Sequence, residues 1–155
     1  MDGNGRWARK LGKKRVVGHR NGAKTVREVV EEAAKNEIEY LTLFAFSTDN
    51  WSRPKDEVNI LMKLLVSSLR KEFIRLTENN IKLCAVGDLD TMPQLVKEEL
   101  TFVIEKTKNN TQLTLVIALS YSSKWEITNA VKQIAHKVNT KELAIDDITE
   151  EVVTA

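Results

Sequence analysis

Three short runs, YLTLFAFS at 40–47, IKLCAVG at 81–87 and LTLVIALS at 113–120, carry apolar residues at odd and even positions alike. Strict alternation marks a strand with one wet face, whereas apolar residues on both parities predict a strand buried on both. Between the runs the period changes. Over 23–35, Val26, Val29, Val30, Ala33 and Ala34 recur at helical spacing. From 54 to about 78, Val58, Leu61, Met62, Leu65, Leu69, Phe73 and Leu76 do the same. Pro54 suits that helix's first turn, and Asp56 and Glu57 suit its positive end. Residues 93–108 and 124–138 predict two more helices, and the acidic stretch 141–155 starts another. Strands alternating with helices predict an α/β fold, a parallel central sheet flanked by helices on both faces. At 155 residues, without repeat or linker, positions 1–155 read as one domain around one core.

In such sheets ligands sit beyond the carboxyl ends of the strands. That rule selects FSTDNWSRP after the first run, GDLD after the second and SYSSKWE after the third. Charge adds a fourth place. Residues 1–27 hold nine basic side chains against Asp2 alone, while the remaining chain holds 15 basic and 21 acidic ones. Segregation of this kind points to a phosphate-rich partner or an anionic surface. Composition removes other classes. No stretch approaches the ~20 apolar residues of a membrane span, and the basic N-terminus lacks the apolar segment of a secretory signal. One cysteine, Cys84, permits no internal disulfide, fits a buried strand position and, with only His19 and His136, makes no zinc cluster.

The opening DGNGRW combines two glycines able to take positive φ with Arg6, able to grip a phosphate bidentately. A turn of this kind leading into a helix makes an anion nest. Asp2 would repel a phosphate unless a cation such as Mg²⁺ lies between them. The Gly-Lys-Ser/Thr ending of a Walker loop is absent. The residues alone leave open a phosphate site and a ragged tail. Arg15, His19 and Arg20, just ahead of the predicted helix at 23, read equally as a solvated basic face. In STDNWSRP, hydroxyl, carboxylate and amide groups precede Trp51 and Arg53; ordinary turn chemistry around a packed tryptophan accounts for them as well.

Taken together, MDGNGRWARK, GHRNGAKTVREVV, YLTLFAFSTDNWSRP and NNTQLTLVIALSYSSKWEI resemble the cis-prenyltransferases, the undecaprenyl diphosphate synthase family, in order and spacing. SYSSKWE resembles a bacterial variant of a segment that reads Asn-Tyr-Gly-Gly-Arg in other members. The resemblance implies an enzyme that condenses isopentenyl diphosphate onto an allylic diphosphate such as farnesyl diphosphate. Its products are Z-polyprenyl diphosphates that serve as cell-wall lipid carriers. It implies an undecaprenyl diphosphate synthase-like fold, a homodimer, Mg²⁺ as cofactor, and a cytoplasmic protein visiting the inner face of the membrane. Asp2 matches the catalytic, Mg²⁺-binding aspartate. Gly3, Asn4, Gly5, Arg6 and Trp7 match the loop that holds the allylic pyrophosphate, with Arg15 and His19 as further contacts. Ser47, Thr48 and Asp49 match a substrate-binding turn, and Trp51 and Arg53 adjacent contacts. Asn50 matches the residue assigned as proton acceptor, but an amide is a poor base, so orienting substrate or water suits it better. The apolar face of 54–78, with Leu113 and its neighbours, is where the growing chain would lie if those leucines do more than fill the core.

The family's first strand, ahead of MDGNGRW, is missing apart from its final Met, and the chain stops before an R-T-S-G-E and R-L-S-N-F type segment that supplies the isopentenyl diphosphate contacts and a late glutamate for Mg²⁺. The resemblance thus implies an incomplete domain, inactive if those parts are required. Two other readings compete: a non-catalytic subunit of the same family, which would usually lose the aspartate and the Gly-Asn-Gly loop kept here, and a polyanion-binding α/β module, for which stacking aromatics and any nucleic-acid motif are lacking.

Overall fold

The three runs form one parallel sheet, with strands β1 (Tyr40–Ser47), β2 (Ile81–Val86) and β3 (Leu113–Tyr121) in the order β1-β3-β2. The computed structural model describes residues 3–154. Around the sheet lie α1 (Asn4–Lys10), α2 (Arg15–Lys35), α3 (Lys55–Glu78), α4 (Gln94–Thr107), α5 (Ser123–Asn139) and α6 (Glu150–Thr154). Every strand is followed by a long helix, and α3 and α4 make the crossovers that the parallel pairs require. Among the described residues, no helix is long and apolar enough to cross a membrane.

The core lies on one side of the sheet. Leu83 of β2 and Leu113, Leu115, Ile117 and Leu119 of β3 are buried against Met62, Val66 and Leu69 of α3 and Val96, Leu100 and Val103 of α4. The alternate residues point the other way. Tyr40 is 69% exposed, Phe44 49% and Val86 40%, and Cys84 is only half-buried. The expectation of strands covered on both faces is therefore corrected: among the described residues one face is packed and the other partly open. Apolar residues on both parities report what a strand is able to bury; they do not report what covers it. Helices α3 and α4 also pack on each other, through the Phe73 and Phe102 rings at 5.3 Å and an Arg70–Glu99 ion pair.

A second correction concerns α2, which begins at Arg15 and not near 23. Gly18 and Gly22 dilute the apolar pattern of its first turns, and they are there for closeness. A Cβ on Gly18 would stand 1.9 Å from the Asn4 carbonyl oxygen, and one on Gly22 would stand 2.2 Å from Asn4 Nδ2. The two glycines let α1 lie directly on α2, with Ala8 fully buried between them. The crossing holds the N-terminal segment against the long helix.

Candidate active site

At the carboxyl end of β1 the chain turns at once into a short 3₁₀ segment, Thr48–Ser52, before α3 starts. Ser47 Oγ accepts the Asp49 N–H at 3.1 Å, and Asn50 Oδ1 accepts the Ser47 N–H at 3.2 Å. That second bond engages the Asn50 side-chain oxygen, and among the described residues its two N–H donors are unused. Trp51 is set from behind: its ring packs edge-on against Phe46 with centroids 4.9 Å apart, and its indole N–H donates to Ser120 Oγ at 2.9 Å. Ser120 is buried, takes a positive φ of 50°, and shares a second 2.9 Å hydrogen bond with Thr91 Oγ1. One hydroxyl thus ties together the ends of all three strands. Ser120→Ala is expected to cost about 1–2 kcal/mol, since it strands a partly buried indole N–H. Thermal unfolding would show it as a drop in Tm of roughly 2–8 °C.

Facing this turn, α2 and α3 bring cations together. Arg15 Nη1 and Arg53 Nη1 reach the same oxygen, Glu57 Oε1, at 3.3 and 3.0 Å, and His19 Nε2 stands 4.0 Å from it. The Glu57 side chain is only 18% exposed. Sequence reasoning placed Glu57 at a helix end for its charge and missed this role. The signal was the i,i+4 spacing from Arg53 to Glu57. His19 Nε2 is a buried nitrogen with no hydrogen-bond partner among the described residues. Burial pushes the His19 pKa below its usual value; Glu57 opposes that shift, while Arg53 and Arg15 reinforce it. Folded His19 therefore holds its proton less tightly than unfolded His19. The associated stability is complete above the unfolded pKa of about 6.5 and is lost as pH falls through the lower folded value. A melting series from pH 7.5 to 5 is expected to fall less steeply for His19→Gln than for the parent chain.

Arg15, His19 and Arg53 stand at the mouth of a cavity of about 1310 Å³ between α2, α3 and the sheet, with Glu57 behind them. The cavity is large for a small-molecule site. Gly3, Asn4, Gly5, Arg6, Arg15, His19, Arg20, Ser47, Asn50 and Arg53 line the mouth, so the opening segment joins the strand-end turn. Beyond them the walls are mainly apolar, with Val26, Leu61, Leu65, Leu115 and Ile117 among the lining residues, and Arg27, Glu31, Glu72 and Arg75 border the far end. Of the two opening glycines, only Gly3 uses positive φ (85°); Gly5 lies inside α1. Four expected site residues are not part of the lining: Trp7 and Asp49 are exposed, Trp51 packs behind the turn, and Thr48 is half-buried in it. Leu113 is 1% exposed in the core and lines no part of the cavity. Asp2, expected as catalytic and metal-binding, lies outside the described residues. Among those described, no three His, Cys, Asp or Glu side chains gather as a metal cage would require.

A family profile described as "Putative undecaprenyl diphosphate synthase" matches residues 1–155. The chain belongs to this family. An isoprenyl transferase of Clostridium perfringens is 45% identical over 152 residues, which cover 98% of this chain and 60% of that one. A (2E,6E)-farnesyl-diphosphate-specific ditrans,polycis-undecaprenyl-diphosphate synthase of Pasteurella multocida is 46% identical over 153 residues, covering 99% and 64%. The fold agrees. Lavandulyl diphosphate synthase from Lavandula x intermedia, solved with dimethylallyl diphosphate, superposes with a TM-score of 0.96 at 28% identity, over 99% of this chain and 66% of that one. The chain spans about 60% of the length of the curated relatives it matches. In this member of the undecaprenyl diphosphate synthase family the cavity joins a charged mouth to a mainly apolar body.

Proposed function

We propose that this chain carries the allylic-diphosphate half of a cis-prenyltransferase site. In the whole protein that site condenses isopentenyl diphosphate onto the allylic substrate to build a Z-polyprenyl diphosphate. The observation that supports this most is the fork at the cavity mouth, where Arg15 and Arg53 converge on one carboxylate oxygen. A diphosphate is a larger and more highly charged occupant for the same two guanidinium planes, each of which takes paired oxygens. Binding requires it to share the arginines with Glu57 or to displace that carboxylate. The head then lies among Arg6, Arg15, His19, Arg53 and the backbone of Gly3, Asn4 and Gly5, with Ser47 and Asn50 facing it. The tail runs between α2 and α3.

In the proposed reaction the allylic carbon–oxygen bond breaks and the diphosphate keeps the electron pair. The alkene of isopentenyl diphosphate bonds to that carbon, and the adduct loses a proton. The arginines stabilise charge growing on the departing diphosphate. The apolar walls keep water from the allylic cation. Asn50, its oxygen already bonded, orients the substrate through its N–H groups and does not act as the base. The described residues offer a mouth rich in cations, which fits an anion and makes no dedicated cage for a metal. Asp2 would be the carboxylate that holds Mg²⁺ beside the diphosphate. When bound it would add positive charge at the departing group.

The test is a titration of this chain with farnesyl S-thiolodiphosphate, with and without Mg²⁺, beside farnesol and a short oligonucleotide at 150 mM salt. Binding of the analogue alone, tightened by Mg²⁺, is the expected result. Equal binding of the oligonucleotide, with a steep salt dependence, would identify a general polyanion surface instead.

A further inference from the structure

Helices α2 and α3 run side by side yet touch sparingly, because the cavity separates them. Two sets of ion pairs tie them. One is at the mouth, where Arg15 meets Glu57. The other lies near their far ends. Arg27 Nε donates to both Glu72 oxygens, at 3.1 and 3.0 Å, and its Nη2 pairs with Glu72 as well. One turn further on, Arg75 Nη1 pairs with Glu31 Oε1 at 3.1 Å, while Arg75 Nε stands 4.0 Å from Glu72. Fifteen residues of α3 separate Glu57 from Glu72, so at 1.5 Å per residue the two ties stand about 22 Å apart. All four far-end side chains border the cavity, and the wall between the ties is mainly apolar. The Arg27–Glu72 pair is bidentate, and its side chains are 35% and 27% exposed, so geometry and partial burial both strengthen it over a common surface pair.

We propose that Arg27–Glu72, reinforced by Glu31–Arg75, is a clasp across the tail end of this slot. Its opening governs how quickly a ligand with a long apolar tail leaves. A short ligand is held by its head and never reaches the clasp. A long tail passes between the helices where the clasp ties them, and its release requires the ion pairs to part. The proposal rests on the reading above, that the cavity takes prenyl diphosphates head-first.

The experiment follows release of labelled geranylgeranyl diphosphate and of labelled dimethylallyl diphosphate from this chain in Mg²⁺ buffer, each chased with unlabelled ligand. Arg27→Glu is expected to speed release of the long ligand about ten-fold and leave the short one unchanged. Adding Glu72→Arg, which restores the pair in reverse, is expected to slow release again. Should Arg27→Glu fail to fold, Glu72→Gln with Arg75→Gln removes the same ties without facing like charges, and the same selective acceleration is expected. Equal acceleration of both ligands, no acceleration in a folded variant, or no rescue by the reversed pair overturns the clasp while leaving the site reading intact. A parent chain that binds neither ligand overturns the site reading and the clasp together.

Discussion

Arg15→Ala combined with Arg53→Ala is expected to weaken binding of an allylic diphosphate by at least about a hundred-fold, against roughly ten-fold for either change alone. Each guanidinium contributes a charge-assisted hydrogen bond, worth about 1.5–3 kcal/mol when its partner is ionised. In either single variant the remaining arginine still holds Glu57 at 3.3 or 3.0 Å. In the double variant the mostly buried carboxylate of Glu57 loses both guanidiniums and faces the incoming diphosphate as a like charge. The two losses are therefore expected to exceed their sum, as couplings within one network do. Titration calorimetry on the four chains closes the cycle. Arg70→Ala, which breaks a pair to Glu99 on the far side of α3, is expected to leave affinity unchanged. A double variant that binds as the parent does would remove the fork from the site.

Gly18→Ala is expected to lower Tm by roughly 5–10 °C, the equivalent of about 2–3 kcal/mol in a chain of this size. The new methyl would stand 1.9 Å from the Asn4 carbonyl oxygen. Backbone is not free to step aside as a long side chain is, so α1 must shift off α2. That movement takes Gly3, Asn4, Gly5 and Arg6 out of the cavity mouth, and diphosphate affinity is expected to fall together with stability. Gly5→Ala is the internal comparison. Its Cβ meets only Arg15 side-chain carbons at 3.5 Å and beyond, an ordinary contact, and alanine is the better helix residue. Its Tm is expected to hold or to rise slightly. A Gly18→Ala chain as stable as Gly5→Ala would mean that α1 does not rest on α2 as described.

These two cases mark how far the sequence alone reaches. The strands were legible because apolar runs bounded by polar turns admit few alternatives, and all three lie within a residue or two of their predicted limits. The start of α2 was hidden because Gly18 and Gly22 interrupt its apolar pattern, whereas they serve a close helix crossing visible only once α1 is in place. The polar residues of the mouth were legible as motifs: Arg15, His19, Ser47, Asn50 and Arg53 do meet around one opening. Glu57 was not, because an acid in a helix's first turn already has a local explanation. Its second task depends on Arg15, 42 residues away. The same holds for Ser120. Nothing local in SYSSKWE announces that one hydroxyl will hold Trp51 and Thr91, which come from different turns. The uncovered side of the sheet also eluded the pattern, since apolar side chains at Tyr40 and Phe44 look the same whether or not something lies over them.

The most direct test of the diphosphate reading is a crystal structure of this chain with farnesyl S-thiolodiphosphate and Mg²⁺. The account predicts the diphosphate between Arg15 and Arg53, with Glu57 turned aside or sharing them. It predicts the farnesyl tail in the slot between α2 and α3, pointing toward Arg27 and Glu72. A diphosphate bound away from the two arginines, or a tail laid on the open face of the sheet beside Tyr40 and Val86, would contradict it.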